Sequence, residues 1–180
     1  MEIVSYPIQG PLLLKPRLFE DDRGYFFESY NQNNFIASGI DAEFVQDNQS
    51  LSSKGVLRGL HFQNPPFAQG KLVRVVSGAV LDVAVDIRPA SPTFGQYVAV
   101  ELSAENKYMM YIPAGFAHGF LTLEDNTLFL YKCTQVYNKE SESGILWNDP
   151  SLNIEWGTVQ PLVSDKDKEL NSLIQARNLF

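Results

Sequence analysis

The chain has 180 residues, 44% of them hydrophobic and 12% aromatic, enough for one core that buries roughly 70% of the unfolded surface without cross-links. Fourteen basic residues against 21 acidic ones leave a net charge of −7, which argues against a nucleic-acid surface or an anionic membrane as the main partner. The single cysteine, Cys133, excludes a disulfide within the chain, and no run of about 18 apolar residues offers a membrane span.

Met1 to Pro7 lack a basic segment followed by an apolar one, so a soluble cytoplasmic protein is expected. No linker, internal repeat or charge block divides the sequence, and one domain over residues 1–180 follows. Short segments rich in Val, Phe, Tyr and Leu alternate with turn signals. They predict strands over Pro11–Leu18 and Gly24–Tyr30, then a helix over Asn31–Ser38 that Gly39 terminates. Gln46-Asp47-Asn48-Gln49 reads as a loop whose amides suit a base edge or sugar hydroxyls. Further strands are predicted over Val56–Phe62, Lys71–Ser77, Val80–Ile87, Gln96–Leu102, Tyr108–Ile112, Gly119–Leu123 and Thr127–Val136. Ser77-Gly78 and Asp125-Asn126 mark tight turns, and a second helix is predicted over Asp165–Arg177. The expected fold is mainly β, a sandwich or barrel of antiparallel strands with a few short helices.

His61 and His118 are the only histidines, so three imidazoles cannot share a metal within one chain. A His-x-His pair is also missing, because Gly59 and Gln63 flank His61, and no metal is expected. His61 has a cation, Arg58, three positions earlier and Lys71 ten positions later, which places an imidazole and an ammonium on neighbouring strands facing one cavity. An imidazole accepts a proton near neutrality. Arg58 and His61 have opposite parity in a regular strand, and Gly59 between them marks a bulge that resets the phase. Tyr131 shares parity with Phe129 and Cys133 and points inward, either as a core tyrosine or as an acid toward an enolate. Pro113-x-Gly115-x-x-His118 joins a turn to a strand with His118 at its mouth, a structural histidine or a ligand contact in equal measure. Arg23, in Asp21-Asp22-Arg23-Gly24, reads by composition as a solvated turn charge.

Taken together these segments resemble the dTDP-4-dehydrorhamnose 3,5-epimerase family of cupin-type jelly rolls. The resemblance is carried by Phe19-x-Asp21-x-Arg23-Gly24-x-Phe26-x-Glu28, Gln46-Asp47-Asn48-Gln49-Ser50 and Ser53-Lys54-Gly55-Val56-Leu57-Arg58-Gly59-Leu60-His61. It continues through Ala68-Gln69-Gly70-Lys71-Leu72-Val73-Arg74, Asp82-Val83-Ala84-Val85-Asp86-Ile87-Arg88 and Ile112-Pro113-x-Gly115-Phe116-Ala117-His118-Gly119-Phe120. Phe129-Leu130-Tyr131-Lys132, Trp147-Asn148-Asp149-Pro150 and Ser164-x-Lys166-Asp167 complete it, while Phe62 stands where the family often has tyrosine.

The resemblance implies conversion of dTDP-4-dehydro-6-deoxy-D-glucose to dTDP-4-dehydro-L-rhamnose without a cofactor. His61 would be the base and Tyr131 the acid on the opposite ring face. Asp167 would pair with His61, and Lys71 would meet charge on the C4 oxygen. It further implies Arg23 and Arg58 at the diphosphate, Glu28, Gln46 and Asn48 near the nucleoside, and Tyr137 stacked on the base. Glu142 and Lys166 would be lesser contacts. His118 would line the sugar pocket, with Asp82 as its partner. A homodimer is implied, in which Arg23 and Glu28 enter the partner's site. Three other readings stand beside it: an epimerase acting at C3 only, a ketoisomerase, and a non-catalytic nucleotide-sugar-binding cupin.

Overall fold

The computed structural model describes residues 1–158, 160–176 and 180. The strands are β1 (Glu2–Ser5), β2 (Leu12–Lys15), β3 (Phe19–Asp21), β4 (Gly24–Phe26), β5 (Gln46–Ser52), β6 (Val56–Gln63) and β7 (Lys71–Ser77). They continue as β8 (Ala79–Asp86), β9 (Tyr97–Ser103), β10 (Met109–Ile112), β11 (Phe116–Thr122), β12 (Thr127–Cys133), β13 (Glu142–Gly144) and β14 (Leu162–Val163). Helices α1 (Gln32–Ala37) and α2 (Asp165–Lys168) are short. One sheet runs β1-β2-β10-β7-β12-β5, and the other runs β13-β6-β11-β8-β9 with β14 added alongside β6. The mainly β, two-sheet expectation is met. Among the described residues no helix is long and apolar enough to cross a membrane.

Alternation along the strands builds three apolar layers. Val73 and Val75 of β7, Val80 and Ala84 of β8, Phe120 of β11 and Phe129 of β12 fill the space between the sheets. Phe120 and Phe129 come from different sheets and stack with centroids 4.1 Å apart, joining the two across the core. Residues of opposite parity face outward. Leu72 packs under Phe35 of α1, and Val83 and Val85 pack under Trp156 and Leu173 of the C-terminal segment. Helix α1 forms within the predicted span Asn31–Ser38: the Asn31 side chain caps it by accepting from the Asn34 N–H, and Gly39, at φ 83°, leaves the helix as expected. The turns at Ser77-Gly78 and Asp125-Asn126 also hold, with Gly78 at φ 77° and Asn126 at φ 53°.

Several sequence expectations are corrected. Gln46–Ser52 is strand β5, not a loop, and pairs along its length with β12. The predicted strand at Gly119 begins at Phe116, which puts His118 inside β11 instead of at its mouth. The tail helix ends at Lys168, because the chain beyond it is held by other partners. The Asn171 carbonyl accepts from the Leu146 N–H, and the Asp149 carboxylate accepts from the Leu173 N–H. Arg177, its predicted end, lies outside the described residues.

The bulge expected at Gly59 is present. Between the pairs His118↔His61 and Phe120↔Arg58, β6 advances three residues while β11 advances two. Gly59 has φ 134°, and a Cβ there would stand 2.5 Å from the Gly119 Cα. Gly59→Ala therefore forces backbone to move, and should lower unfolding free energy in urea by about 3 kcal/mol with a disproportionate loss of activity.

Candidate active site

His61 and Lys71 do share a cavity, but from facing sheets, not from neighbouring strands: His61 lies on β6 and Lys71 opens β7. The Lys71 ammonium donates to the His61 carbonyl at 3.5 Å. Tyr131, on β12, stands in the same sheet as Lys71, opposite His61. The three side chains, with Asn48 of β5, lie where a cavity of about 740 Å³ meets a smaller one of about 350 Å³. Among the other candidates, the larger lobe adds Arg58, His118, Lys166 and Asp167. The smaller lobe adds Gln46, Tyr137 and Glu142. A separate cleft of about 180 Å³, lined by Arg74 and Lys132, includes Asn48 and Tyr131 but neither His61 nor Lys71.

Asp167 reaches this centre because β14 runs parallel to β6, with Leu162 opposite Val56 and Val163 opposite Leu57, and hands the chain directly into α2. Ser164 caps that helix by accepting from the Asp167 N–H at 3.1 Å. The buried Asp167 carboxylate then lies 2.7 Å from His61 Nε2 and accepts from the Gly59 N–H at 3.3 Å. Burial raises its pKa, but the His61 contact and the Gly59 N–H outweigh that and hold it below the ordinary carboxylate value. An anionic partner at Nε2 assigns the proton to that nitrogen and leaves Nδ1 with the free lone pair. Such a carboxylate stabilises the fold above its unfolded pKa, and that contribution disappears only as pH falls through the lowered folded value. At neutral pH the dyad is intact.

Burial raises the Tyr131 phenol, with the Arg58 charge acting in the opposite sense, so the hydroxyl keeps its proton at neutral pH and has one to donate. Burial lowers Lys71 and His118 and raises the Cys133 thiol, which is consequently inert. His118 pairs with His61 across the β6–β11 ladder, and its Nε2 stands 2.9 Å from Asp82 Oδ2. Arg58 donates to the Ser52 hydroxyl at 3.1 Å. Glu142 accepts from Lys166 at 2.6 Å and from the Tyr137 hydroxyl at 2.9 Å, so one carboxylate ties the two lobes together. The Gln46 amide accepts from the Tyr137 N–H at 2.8 Å and donates to Asn48 at 3.1 Å.

Two candidates stand apart. Arg23 is 90% exposed on the β3–β4 hairpin and bound to Asp21, and Glu28 accepts from Asn31 and Asn34 at the start of α1. Neither lines the cavity. Ser50 is a further site residue that the sequence reading does not single out: it lines the larger lobe, and its buried hydroxyl has no partner among the described residues. Its signal was the run Gln46 to Ser50, polar at every position, whose alternate residues Gln46, Asn48 and Ser50 are half-buried at the cavity. Among the described residues no three His, Cys, Asp or Glu side chains gather as a metal-binding group.

Two packed sheets enclosing an imidazole–carboxylate pair, with a phenol and an ammonium opposite, define an acid–base enzyme on a cupin-type fold. The family model for dTDP-4-dehydrorhamnose 3,5-epimerase matches residues 5–175, and the chain belongs to that family. A dTDP-4-dehydrorhamnose 3,5-epimerase from Shigella flexneri is 57% identical over 168 residues, 93% of each chain. The crystal structure of the Bacillus anthracis dTDP-4-dehydrorhamnose 3,5-epimerase, with TDP and pyrophosphate bound, superposes with a TM-score of 0.93 at 46% identity, over 95% of this chain and 98% of that one. The Legionella pneumophila enzyme, in complex with dTDP-4-keto-L-rhamnose, gives a TM-score of 0.93 at 47% identity, over 97% and 94%.

Proposed function

We propose that this chain converts dTDP-4-dehydro-6-deoxy-D-glucose to dTDP-4-dehydro-L-rhamnose, with His61 removing protons from C3 and C5 and Tyr131 returning them from the other face. The observation that carries the division of labour is that His61 and Tyr131 project from opposite sheets into one cavity. Inverting a carbon beside a ketone requires removal on one face and delivery on the other. Nδ1 of His61 takes the C–H proton, the bonding pair moves into the ring as the C4 carbonyl becomes an enolate, and the Lys71 ammonium meets the charge on that oxygen. A preorganised donor of this kind is worth about 3 kcal/mol in the transition state. The carbon then takes the phenolic proton of Tyr131, and the carbonyl reforms.

Arg58 is the proposed diphosphate contact, and Tyr137, exposed on the smaller lobe, the proposed stacking surface for the base. Gln46 and Asn48 are proposed contacts near the nucleoside, with Glu142 and Lys166 as lesser ones and His118 in the sugar pocket. Arg23 and Glu28 are proposed to enter the site of a second copy. The hairpin that carries Arg23 exposes Phe19, Tyr25 and Phe26, at 52%, 55% and 65%, a surface suited to burial between subunits. The whole chain is proposed to act as one domain, since both sheets and the C-terminal segment wall the same cavity. A cytoplasmic site of action accords with a lone buried thiol.

Turnover in deuterated water, read by NMR, tests the reading. Label at both C3 and C5 of the product is expected. Label at C3 alone would make the chain a single-centre epimerase, and a shifted carbonyl would make it a ketoisomerase.

A further inference from the structure

The segment between β12 and β13 presents Tyr137, and no strand ladder holds it. Among the described residues, Gln135, Val136, Tyr137 and Asn138 make no backbone–backbone hydrogen bond. Side-chain amides take the place of a ladder. Gln69 Nε2 donates to the Gln135 carbonyl at 2.6 Å, and Gln63 Nε2 donates to the Val136 carbonyl at 3.2 Å. Gln46 Oε1 accepts from the Tyr137 N–H at 2.8 Å, and Gln63 Oε1 accepts from the Asn138 N–H at 2.7 Å. The Gln135 side chain folds back on its own segment and accepts from the Val136 N–H at 2.9 Å.

Gln63 is central to this arrangement. It ends β6, two residues beyond His61, and is buried at 5% exposure. Its amide nitrogen serves two carbonyls, Val136 and Phe67, the second at 2.6 Å, while its oxygen serves the Asn138 N–H, so the partners fix which way the amide points. The bonds to Val136 and Asn138 bracket Tyr137 on both sides. The far end of the ring is held too, because the Tyr137 hydroxyl donates to Glu142 at 2.9 Å. An aromatic ring on an irregular segment would otherwise have to be ordered when a ligand binds, at a cost in conformational entropy. Here the ordering is done on folding, from β5 of one sheet, β6 of the other and the loop before β7. Gln46, Gln63, Gln69 and Tyr137 all line the smaller lobe.

We propose that Gln63 and Gln69 are positioning residues of the nucleotide site: with Gln46 they hold residues 135–138 from three directions, so that the Tyr137 ring stands preset for a nucleobase. Their effect passes through Tyr137 and needs no contact with the ligand. The inference rests on Tyr137 being the stacking surface, and the experiment separates the two.

Binding of dTDP is measured by calorimetry for the wild type, Gln63→Met, Tyr137→Ala and the double variant. Gln63→Met keeps the length of the side chain and removes its three amide bonds. The Kd is expected to rise about tenfold in each single variant, and by no more than about twofold further when Gln63→Met is added to Tyr137→Ala. KM for the sugar nucleotide should rise with Kd in Gln63→Met while kcat stays within about threefold, a split that a general disturbance of β6 and His61 would not give. An unchanged Kd in folded Gln63→Met overturns the proposal, as do losses that multiply in the double variant or a fall in kcat as large as the loss of affinity. If Gln63→Met does not fold, Gln69→Met, which removes only the bond to the Gln135 carbonyl, goes through the same cycle with an expected loss of about threefold. Unchanged affinity in Tyr137→Ala would remove the stacking reading and the proposal with it, whereas a loss confined to Tyr137→Ala overturns the positioning role alone. Absence of deuterium exchange into the sugar would remove the epimerase reading and leave the binding cycle untouched.

Discussion

His61→Ala should lower kcat by about 10³-fold, within the range a positioned general base supplies, while dTDP affinity changes by less than a few-fold. The two effects separate because His61 is engaged by Asp167 at 2.7 Å and by its strand neighbours, not by the candidate nucleotide contacts Arg58 and Tyr137. Removing the ring also leaves the Asp167 carboxylate without its shortest contact, keeping the Gly59 N–H at 3.3 Å. Some loss of stability is therefore expected, and single-turnover measurements at saturating substrate are the right readout, with calorimetry for dTDP. Activity within tenfold of wild type would reassign the base.

Tyr131→Phe removes one oxygen from a half-buried position and is expected to cut product formation by about 10² to 10³-fold. Its signature differs from that of His61→Ala. Proton removal survives, so the enolate still forms over Lys71, but the only proton source left is the imidazolium on the face from which the proton came. Deuterium from solvent should then enter the substrate with retention of configuration, at a rate well above that of inversion. Inversion at the wild-type rate would mean that another group, or water, delivers the proton.

The strands with hydrophobic alternation were legible in the sequence, as were the helix stop at Gly39 and the turns at Gly78 and Asn126. Strand β5 was not, and the reason is physical. Its half-buried residues Gln46, Asn48 and Ser50 line a polar cavity, and its one apolar residue, Leu51, lies on the exposed face, so the usual apolar-inward alternation is missing. The site hid the strand that carries it. Spacing hinted at His61 and Lys71 together but placed them side by side, since a short loop suggests a hairpin; the chain instead crosses to the facing sheet. The Asp167 partner, 106 residues from His61, depends on a two-residue parallel strand that no local pattern announces, and only family resemblance pointed to it. The tail helix was misread because the tertiary bonds to Leu146 and Asp149 override helical propensity after Lys168.

The stacked pair Phe120 and Phe129 lines the larger lobe as well as joining the sheets. One ring belongs to the His61 side of the sandwich and the other to the Tyr131 side, so their combined thickness acts as a gauge block between the proposed proton donor and acceptor. A sugar ring must span that gap to be attacked from one side and quenched from the other. In the proposed reaction, two hydrocarbon side chains that exchange no proton would thus set the caliper within which the sugar is inverted.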